Sequence, residues 1–141
     1  MAPMTASTDP RQVGLVLVSH SQQLVEGLAE LVGQVAGPGV MIQTVGGASD
    51  GSLGTDPDRV LAALTGAAHE PGAVVLMDLG SSVLAVGAAL EDLSDEQRAW
   101  LAVVDAPLVE GAVATGVLAS TGAGLAEVAR AAEEARDARK L

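Results

Sequence analysis

Two histidines occur in the chain, and one of them, His20, stands where chemistry is possible. It follows the apolar run 13–18 and lies between Ser19 and Ser21, directly before a helical pattern begins. The first turn of a helix offers free backbone N–H groups, which together with two hydroxyls favour an anion such as phosphate. A neutral imidazole at this position could act as a nucleophile. The plainer alternative is a hydrogen bond from the ring to a loop carbonyl.

Asp78 is the carboxylate best placed to act on this histidine. It ends the apolar run 73–78, and a short Gly-Ser turn then enters another helical pattern. A carboxylate that accepts a hydrogen bond from one ring nitrogen fixes the tautomer and leaves the lone pair of the other nitrogen free to attack. Asp78 could also be the N-cap of the following helix, and the two roles do not exclude each other.

Four apolar runs of strand length alternate with helical patterns. This alternation predicts how His20 and Asp78 are brought together. The runs are residues 13–18, 40–45, 73–78 and 100–105. Such alternation predicts an α/β fold: a doubly wound, mainly parallel sheet with helices on both faces. In the strand order 2-1-3-4, His20 and Asp78 follow neighbouring strands at the switch point, where ligands bind in sheets of this kind.

Apolar residues at helical spacing predict which helix faces cover the sheet. The buried residues expected in the first helix are Leu24, Leu28, Leu31, Val32 and Val35, and those expected in the second are Val60, Leu61 and Leu64. Asp56 and Pro57 have the residue types of an N-cap and a first helical position. Further helices are expected at about 108–121 and from Leu125 onward.

Composition and charge restrict the classes of partner. The chain of 141 residues has no cysteine and a formal net charge of −11. It lacks the basic footprint of a protein that binds nucleic acid or an anionic membrane, and its acidic surface suits a basic protein partner instead. The length fits one domain, so we expect a flexible arm at 1–12 and a single domain at 13–141. The lack of a signal-peptide pattern or a long apolar segment favours a cytoplasmic protein.

Other motifs point away from several kinds of enzyme. The stretch "GASDG", residues 47–51, matches the nucleophile elbow of esterases, but more loop follows it where that motif needs a helix. His69 lies at a helix end, where a cation suits the helix dipole. The separation of the two histidines disfavours a metal site, and no Walker loop is present, so no metal or cofactor is expected. A nucleophilic histidine among phosphate-binding groups is typical of a phosphohistidine carrier, which takes a phosphoryl group from one protein and passes it on.

Three motifs in order, "LVLVSHS", "GTD" and "VVLMDLGSSVLA", resemble the DhaM family, the phosphotransfer subunits of phosphoenolpyruvate-dependent dihydroxyacetone kinases within the mannose-type EIIA class. The likeness covers about residues 12–125. It implies that His20 is the phosphorylated nucleophile and that Asp78 orients it. The residues that it places in loops around the histidine are Gly54, Thr55, Gly80 and Ser81.

The same resemblance implies a set of partners. The chain would form a homodimer, receive its phosphoryl group from the carrier HPr, and pass it to ADP held in DhaL. DhaL would then phosphorylate dihydroxyacetone bound by DhaK. Two alternatives stay open: a mannose-type EIIA that serves the IIB domain of a sugar permease, and a non-catalytic regulatory module of the same fold.

Overall fold

A four-stranded parallel sheet organises the chain in a computed structural model, which describes residues 12–141. The strands are β1 (Gly14–Ser19), β2 (Ile42–Gly46), β3 (Ala73–Met77) and β4 (Leu101–Val103). The helices are α1 (Gln22–Ala36), α2 (Pro57–Ala67), α3 (Ser81–Glu91), α4 (Asp95–Arg98), α5 (Leu108–Ala119) and α6 (Leu125–Glu134), and a 3₁₀ turn at Ala135–Asp137 follows α6. The strand order β2-β1-β3-β4, parallel throughout, confirms the predicted fold class.

Helices cover both faces of the sheet because alternate residues of its central strands are apolar on both sides. In β1, Leu15 and Leu17 pack with α1, α5 and α6, whereas Val16 and Val18 pack with α2 and α3. All four residues are buried, with at most 1% of their surface exposed to solvent. Burial on both faces is the reason why the strand reads as a continuous apolar run.

The buried stripe of α1 differs from the predicted one. The buried residues are Val25, Leu28, Val32 and Ala36. The prediction was wrong for Leu24 and Leu31, each 46% exposed, and for Val35, which is 48% exposed. The apolar arc of α1 is wider than the strip that the sheet and α5 cover, so spacing alone did not identify the buried edge of that arc.

The start of α2 follows the prediction, whereas α4 was not predicted. Asp56 accepts hydrogen bonds from the backbone of the first turn of α2, and Pro57 opens the helix. Val60 and Leu64 are buried, but Leu61 is only partly so. The short α4 begins with a capping box at Ser94, a local signal that the apolar pattern does not contain.

The ends of the chain add two observations. Residues 1–11 of the predicted arm lie outside the described residues, and the Gln12 amide donates to the Ser120 carbonyl at 3.1 Å. Within residues 12–141, no helix has both the length and the hydropathy needed to cross a membrane.

A glycine contact fixes the end of β2 against the start of α1. A Cβ at Gly46 would lie 2.6 Å from Gln22 Cα and 2.8 Å from the Ser21 carbonyl oxygen, closer than real Cβ atoms approach backbone. Only glycine therefore lets β2 end here without a backbone shift. The loop 47–55 continues from this point to the carboxyl edge of the sheet, where His20 lies.

Candidate active site

His20 and Asp78 meet because β1 and β3 are paired neighbours. Val18 is in register with Met77, and the Asp78 N–H donates to the Val18 carbonyl at 3.1 Å. The next residues along the two strands are thus brought to one edge. His20 Nδ1 lies 3.0 Å from Asp78 Oδ1, as the position of the two residues in the sequence predicted.

Asp78 is held as a carboxylate by a set of hydrogen-bond donors. Oδ2 accepts from the His20 N–H and from the Ser19 hydroxyl, both at 2.9 Å, and Oδ1 accepts from the Leu79 N–H at 2.7 Å. Burial by itself raises the pKa of Asp78, but these donors and the Ser82 hydroxyl together lower that pKa well below its ordinary value. The carboxyl group is therefore ionised at neutral pH and can only accept hydrogen bonds.

The ionised carboxylate determines which ring nitrogen of His20 is free. Since Asp78 Oδ1 can only accept, Nδ1 carries the proton and Nε2 has the lone pair. The Ser81 hydroxyl lies 2.6 Å from Nε2, and the Thr55 hydroxyl lies 2.7 Å from the Ser81 hydroxyl. In this tautomer Ser81 donates to Nε2 and accepts from Thr55. The predicted residues Thr55 and Ser81 thus lie on the Nε2 side of the ring.

Ser82 is a site residue that the sequence reasoning missed. It is fully buried, and its hydroxyl lies 3.3 Å from His20 Nδ1 and contributes to the low pKa of Asp78. The available signal was the pair of serines that opens α3, because adjacent residues in a first turn point in different directions. Ser81 faces Nε2, and Ser82 faces the His20–Asp78 contact.

The hydroxyls of Ser19 and Ser21 are engaged within the protein. Ser19 is fully buried; its hydroxyl donates to Asp78 and accepts from the Ser21 N–H at 3.0 Å. Ser21 is the N-cap of α1 and accepts from the Leu24 N–H at 3.2 Å. Both residues therefore position the start of α1 beside His20, and direct contact of either with phosphate stays a prediction.

Two glycines shape the backbone around the imidazole. The Gly54 N–H donates to the His20 carbonyl at 3.0 Å, which ties the loop 47–55 to the site. Gly80 has φ of +46° and is the N-cap of α3, a position that contributes no side-chain cap. Asp78 is therefore not the N-cap of this helix. A Cβ at Gly80 would lie 4.0 Å from His20 Nε2, so this turn brings the helix N-terminus close to the free nitrogen.

The ring is partly open to solvent, and exposed leucines lie on the segments that carry the site. The His20 side chain is 25% exposed. Leu53, Leu79 and Leu84, on the loop and around the start of α3, are 78%, 65% and 76% exposed. Residues 12–141 hold no cluster of three or more potential metal ligands. The arrangement can therefore expose one imidazole lone pair to an incoming group while the opposite nitrogen is fixed.

The other two candidate features lie outside this arrangement. Ser49 of "GASDG" is an exposed loop residue, and no helix follows it before Pro57. It consequently lacks the strand–turn–helix geometry of a nucleophile elbow. His69 is exposed, beyond the end of α2, and its Nδ1 lies 2.8 Å from the Glu70 carbonyl.

Comparisons with known proteins identify the family of the chain. The sequence profile of EIIA-man, described as "PTS system fructose IIA component", matches residues 14–129. A PEP-dependent dihydroxyacetone kinase 2 phosphoryl donor subunit DhaM from Listeria innocua serovar 6a is 37% identical over 105 residues, which cover 74% of this chain and 84% of the relative. The chain belongs to the EIIA-man family, in its DhaM branch.

A second relative and a solved structure show how much of the chain the similarity covers. The phosphoryl donor subunit DhaM of Escherichia coli K12 is 37% identical over 91% of this chain, but the match spans only 28% of that longer protein. The crystal structure of a protein of unknown function, EF1359, superimposes with a TM-score of 0.77 at 34% identity and covers 86% of this chain and 93% of that one. The EIIA-man fold therefore accounts for nearly all of the described residues.

Proposed function

We propose that the chain carries a phosphoryl group on Nε2 of His20, accepts it from phospho-HPr and passes it to ADP bound in a DhaL subunit. The observation that carries this proposal is the contrast between the two ring nitrogens. Nδ1 is anchored 3.0 Å from an ionised carboxylate, whereas Nε2 contacts only a hydroxyl that is able to rotate away. A fixed ring with one free lone pair is what nucleophilic attack on phosphorus requires.

Phosphoryl uptake is an in-line displacement between two imidazoles. The Nε2 lone pair of His20 forms the new P–N bond while the P–N bond of the donor phosphohistidine breaks, and the donor ring leaves as neutral imidazole. His20 then carries positive charge in its ring, because Nδ1 keeps its proton. The Asp78 side chain is ionised and only 13% exposed, and it stabilises that charge directly.

The groups around Nε2 would then stabilise the phosphoryl oxygens. The Ser81 hydroxyl, displaced from Nε2, can donate to a phosphoryl oxygen, and Thr55 lies beside it. The uncapped N-terminus of α3, which begins at Gly80 beside the ring, favours the negative charge through its backbone dipoles.

Transfer to the acceptor reverses the same bond changes. A β-phosphate oxygen of ADP attacks phosphorus, the P–N bond breaks, and His20 regains its neutral imidazole as ATP forms. DhaL would use that ATP to phosphorylate dihydroxyacetone held by DhaK. The names of the relatives, phosphoryl donor subunits of dihydroxyacetone kinases, support a role in the phosphorylation of dihydroxyacetone. We propose that residues 13–141 act as one domain in this exchange and that the chain works as a homodimer.

Intact-mass spectrometry tests the proposal. The chain is mixed with enzyme I, HPr and phosphoenolpyruvate, beside His20→Ala and the matched control His69→Ala. We expect one acid-labile phosphoryl group on the wild type and on His69→Ala, and none on His20→Ala. Addition of DhaL with ADP should then remove it.

The other outcomes separate the alternatives. A phosphoryl group that forms on His20 but stays in the presence of DhaL and ADP would favour a sugar-type EIIA whose acceptor is a IIB domain. Absence of any phosphorylation, with HPr that phosphorylates a known acceptor in the same mixture, would exclude the carrier function and leave a regulatory module.

A further inference from the structure

The loop 47–55 brings Thr55 to the Nε2 side of His20, but the contacts inside the loop do not fix where it lies. The Asp50 carboxylate accepts from the Ser52 N–H at 3.0 Å and from the Ser52 hydroxyl at 2.6 Å. These bonds join parts of the same loop and give it a shape of its own. The position of the loop beside the imidazole therefore depends on contacts near its two ends.

The two ends of the loop meet beside β1. Gly47 and Thr55 pair as an isolated parallel bridge. The Gly47 N–H donates to the Ser19 carbonyl at 3.3 Å, and the Gly54 N–H donates to the His20 carbonyl at 3.0 Å. The Thr55 hydroxyl can therefore reach the site only while this junction of the two ends is closed.

Arg59, a side chain of α2, contacts the same junction. Its Nη1 donates at 3.3 Å to the carbonyl of Gly46, the residue directly before the loop. Arg59 lies in the first turn of α2, shortly after Thr55, and its neighbour Val60 is completely buried. A well-packed helix thus carries a side chain that bonds the end of β2, so the junction is fixed to α2 as well as to β1.

The Arg59 guanidinium has no competing ionic partner within the described part of the chain. No carboxylate of residues 12–141 forms an ion pair with it. The sequence also contains no other Lys or Arg between Arg11 and Arg98. Hydrogen bonds from an ionised donor are stronger than neutral ones, so this single bond to a backbone carbonyl is suited to fix the end of β2.

We propose that Arg59 is a positioning residue that holds Thr55 on the Nε2 side of His20. The Ser81 hydroxyl lies 2.7 Å from the Thr55 hydroxyl and 2.6 Å from Nε2, so a shift of the loop 47–55 would alter the hydroxyl next to the reacting nitrogen. Small displacements of this kind lower the rate of a transfer step. The effect on rate rests on the proposed function, whereas the hold on the loop does not.

Rapid-quench measurement of transfer from phospho-HPr, over a range of phospho-HPr concentrations, tests the proposal on the full chain. We expect Arg59→Met to lower the maximal rate by about threefold to tenfold, the effect of one lost hydrogen bond, with an unchanged KM for phospho-HPr. Arg59→Lys can donate one bond to the same carbonyl and should transfer within about twofold of wild type. Rescue by lysine would separate the hydrogen bond from the shape of the side chain.

Arg98→Met is the matched control, because it removes the same charge and the same kind of bond far from His20. Arg98 Nη1 donates to the carbonyls of Leu90 and Leu93 at 3.0 Å and 2.9 Å. This variant should unfold at a lower temperature yet transfer at the wild-type rate. The double variant Arg59→Met/Ser81→Ala should transfer no more slowly than Ser81→Ala, since Arg59 acts through that hydroxyl.

Amide hydrogen exchange at Gly54 reports the position of the loop without any partner protein. The Gly54 N–H should exchange about threefold to tenfold faster in Arg59→Met than in wild type, and at the wild-type rate in Arg98→Met. Equal exchange in Arg59→Met and wild type would overturn the inference. A raised KM with an unchanged maximal rate would do so too, because the guanidinium would then contact the donor protein.

Failure of the proposed function gives a different result. A wild type that HPr does not phosphorylate would overturn the carrier function, and exchange at Gly54 would still decide whether Arg59 holds the loop.

Discussion

Asp78 contacts His20 twice: Oδ1 lies 3.0 Å from the ring Nδ1, and Oδ2 accepts from the backbone N–H of the same residue at 2.9 Å. One carboxylate therefore orients both the side chain and the backbone of His20. The Ser19 hydroxyl donates to the same carboxylate and restricts its rotation. The result is a ring whose position relative to the sheet edge is fixed before any partner binds.

Replacement Asp78→Asn should slow phosphorylation of His20 strongly while the fold is kept. An amide can donate to Nδ1, which would favour the tautomer with its proton on Nε2 and remove the attacking lone pair. The charge that stabilises the phosphorylated ring is lost as well. We expect a rate reduction on the order of 10⁴-fold, comparable to replacement of the orienting aspartate by asparagine in hydrolase triads. Rapid-quench measurement of phosphoryl transfer from phospho-HPr checks this.

The control for that variant is Asp137→Asn, at the exposed end of the chain. It makes the same chemical change far from the site and should transfer at the wild-type rate. If Asp78→Asn also transferred within a factor of two of wild type, Asp78 would have no orienting role.

Ser81→Ala tests the hydroxyl that lies 2.6 Å from Nε2. We expect phosphorylation to persist but transfer to fall by about tenfold, since one hydrogen bond to a charged phosphoryl group contributes roughly 1.5–3 kcal/mol. Thr55→Val, which removes only the hydroxyl behind Ser81, should have a smaller effect. Because Thr55 acts through Ser81, the double variant should transfer no more slowly than Ser81→Ala. Additive losses would show that Thr55 contacts the phosphoryl group on its own.

The sequence was sufficient to predict the sheet order and the meeting of His20 with Asp78. The parallel sheet follows from strand alternation, and the two residues meet once the order 2-1-3-4 makes their strands neighbours, because parallel strands end at one edge. The pair of serines that opens α3 was a signal for a second hydroxyl at the site, but the direction of each side chain depends on the angle at which α3 starts after Gly80. That angle follows from a backbone conformation, φ of +46°, that glycine permits but does not dictate.

The error on α1 has a different physical cause. Leu24, Leu31 and Val35 satisfy helical periodicity as well as Val25 does, so the pattern cannot separate a face buried in the monomer from one that another chain could cover. Only the packing of α5 against Val32 and Ala36 settles which edge of the arc is internal.

The low pKa of Asp78 predicts a pH dependence of stability. A carboxyl group whose pKa is lower in the folded state than its ordinary value of about 3.9 stabilises the fold above that pH, and the contribution is lost as pH falls towards the folded-state pKa. The difference in free energy of unfolding between wild type and Asp78→Asn should therefore shrink as the pH falls below about 4. Urea denaturation from pH 7 to pH 2.5 measures it. A difference that is flat across this range would mean that the donors around Asp78 do not favour its ionised form.

Gly46→Ala should disrupt the site by forcing β2 away from α1. Its Cβ would lie 2.6 Å from Gln22 Cα and 2.7 Å from Val25 Cγ1, and the first of these contacts is backbone that cannot rotate aside. We expect a loss of about 1–3 kcal/mol in the free energy of unfolding, the usual cost of forced backbone shifts, and slower phosphorylation of His20. Gly33→Ala is the matched control: no atom lies within 4 Å of its Cβ position in α1, so it should stabilise the protein by about 0.5–1 kcal/mol through helix propensity. Thermal unfolding distinguishes Gly46→Ala from Gly33→Ala. Equal melting temperatures would show that the backbone at the end of β2 can shift without loss of stability.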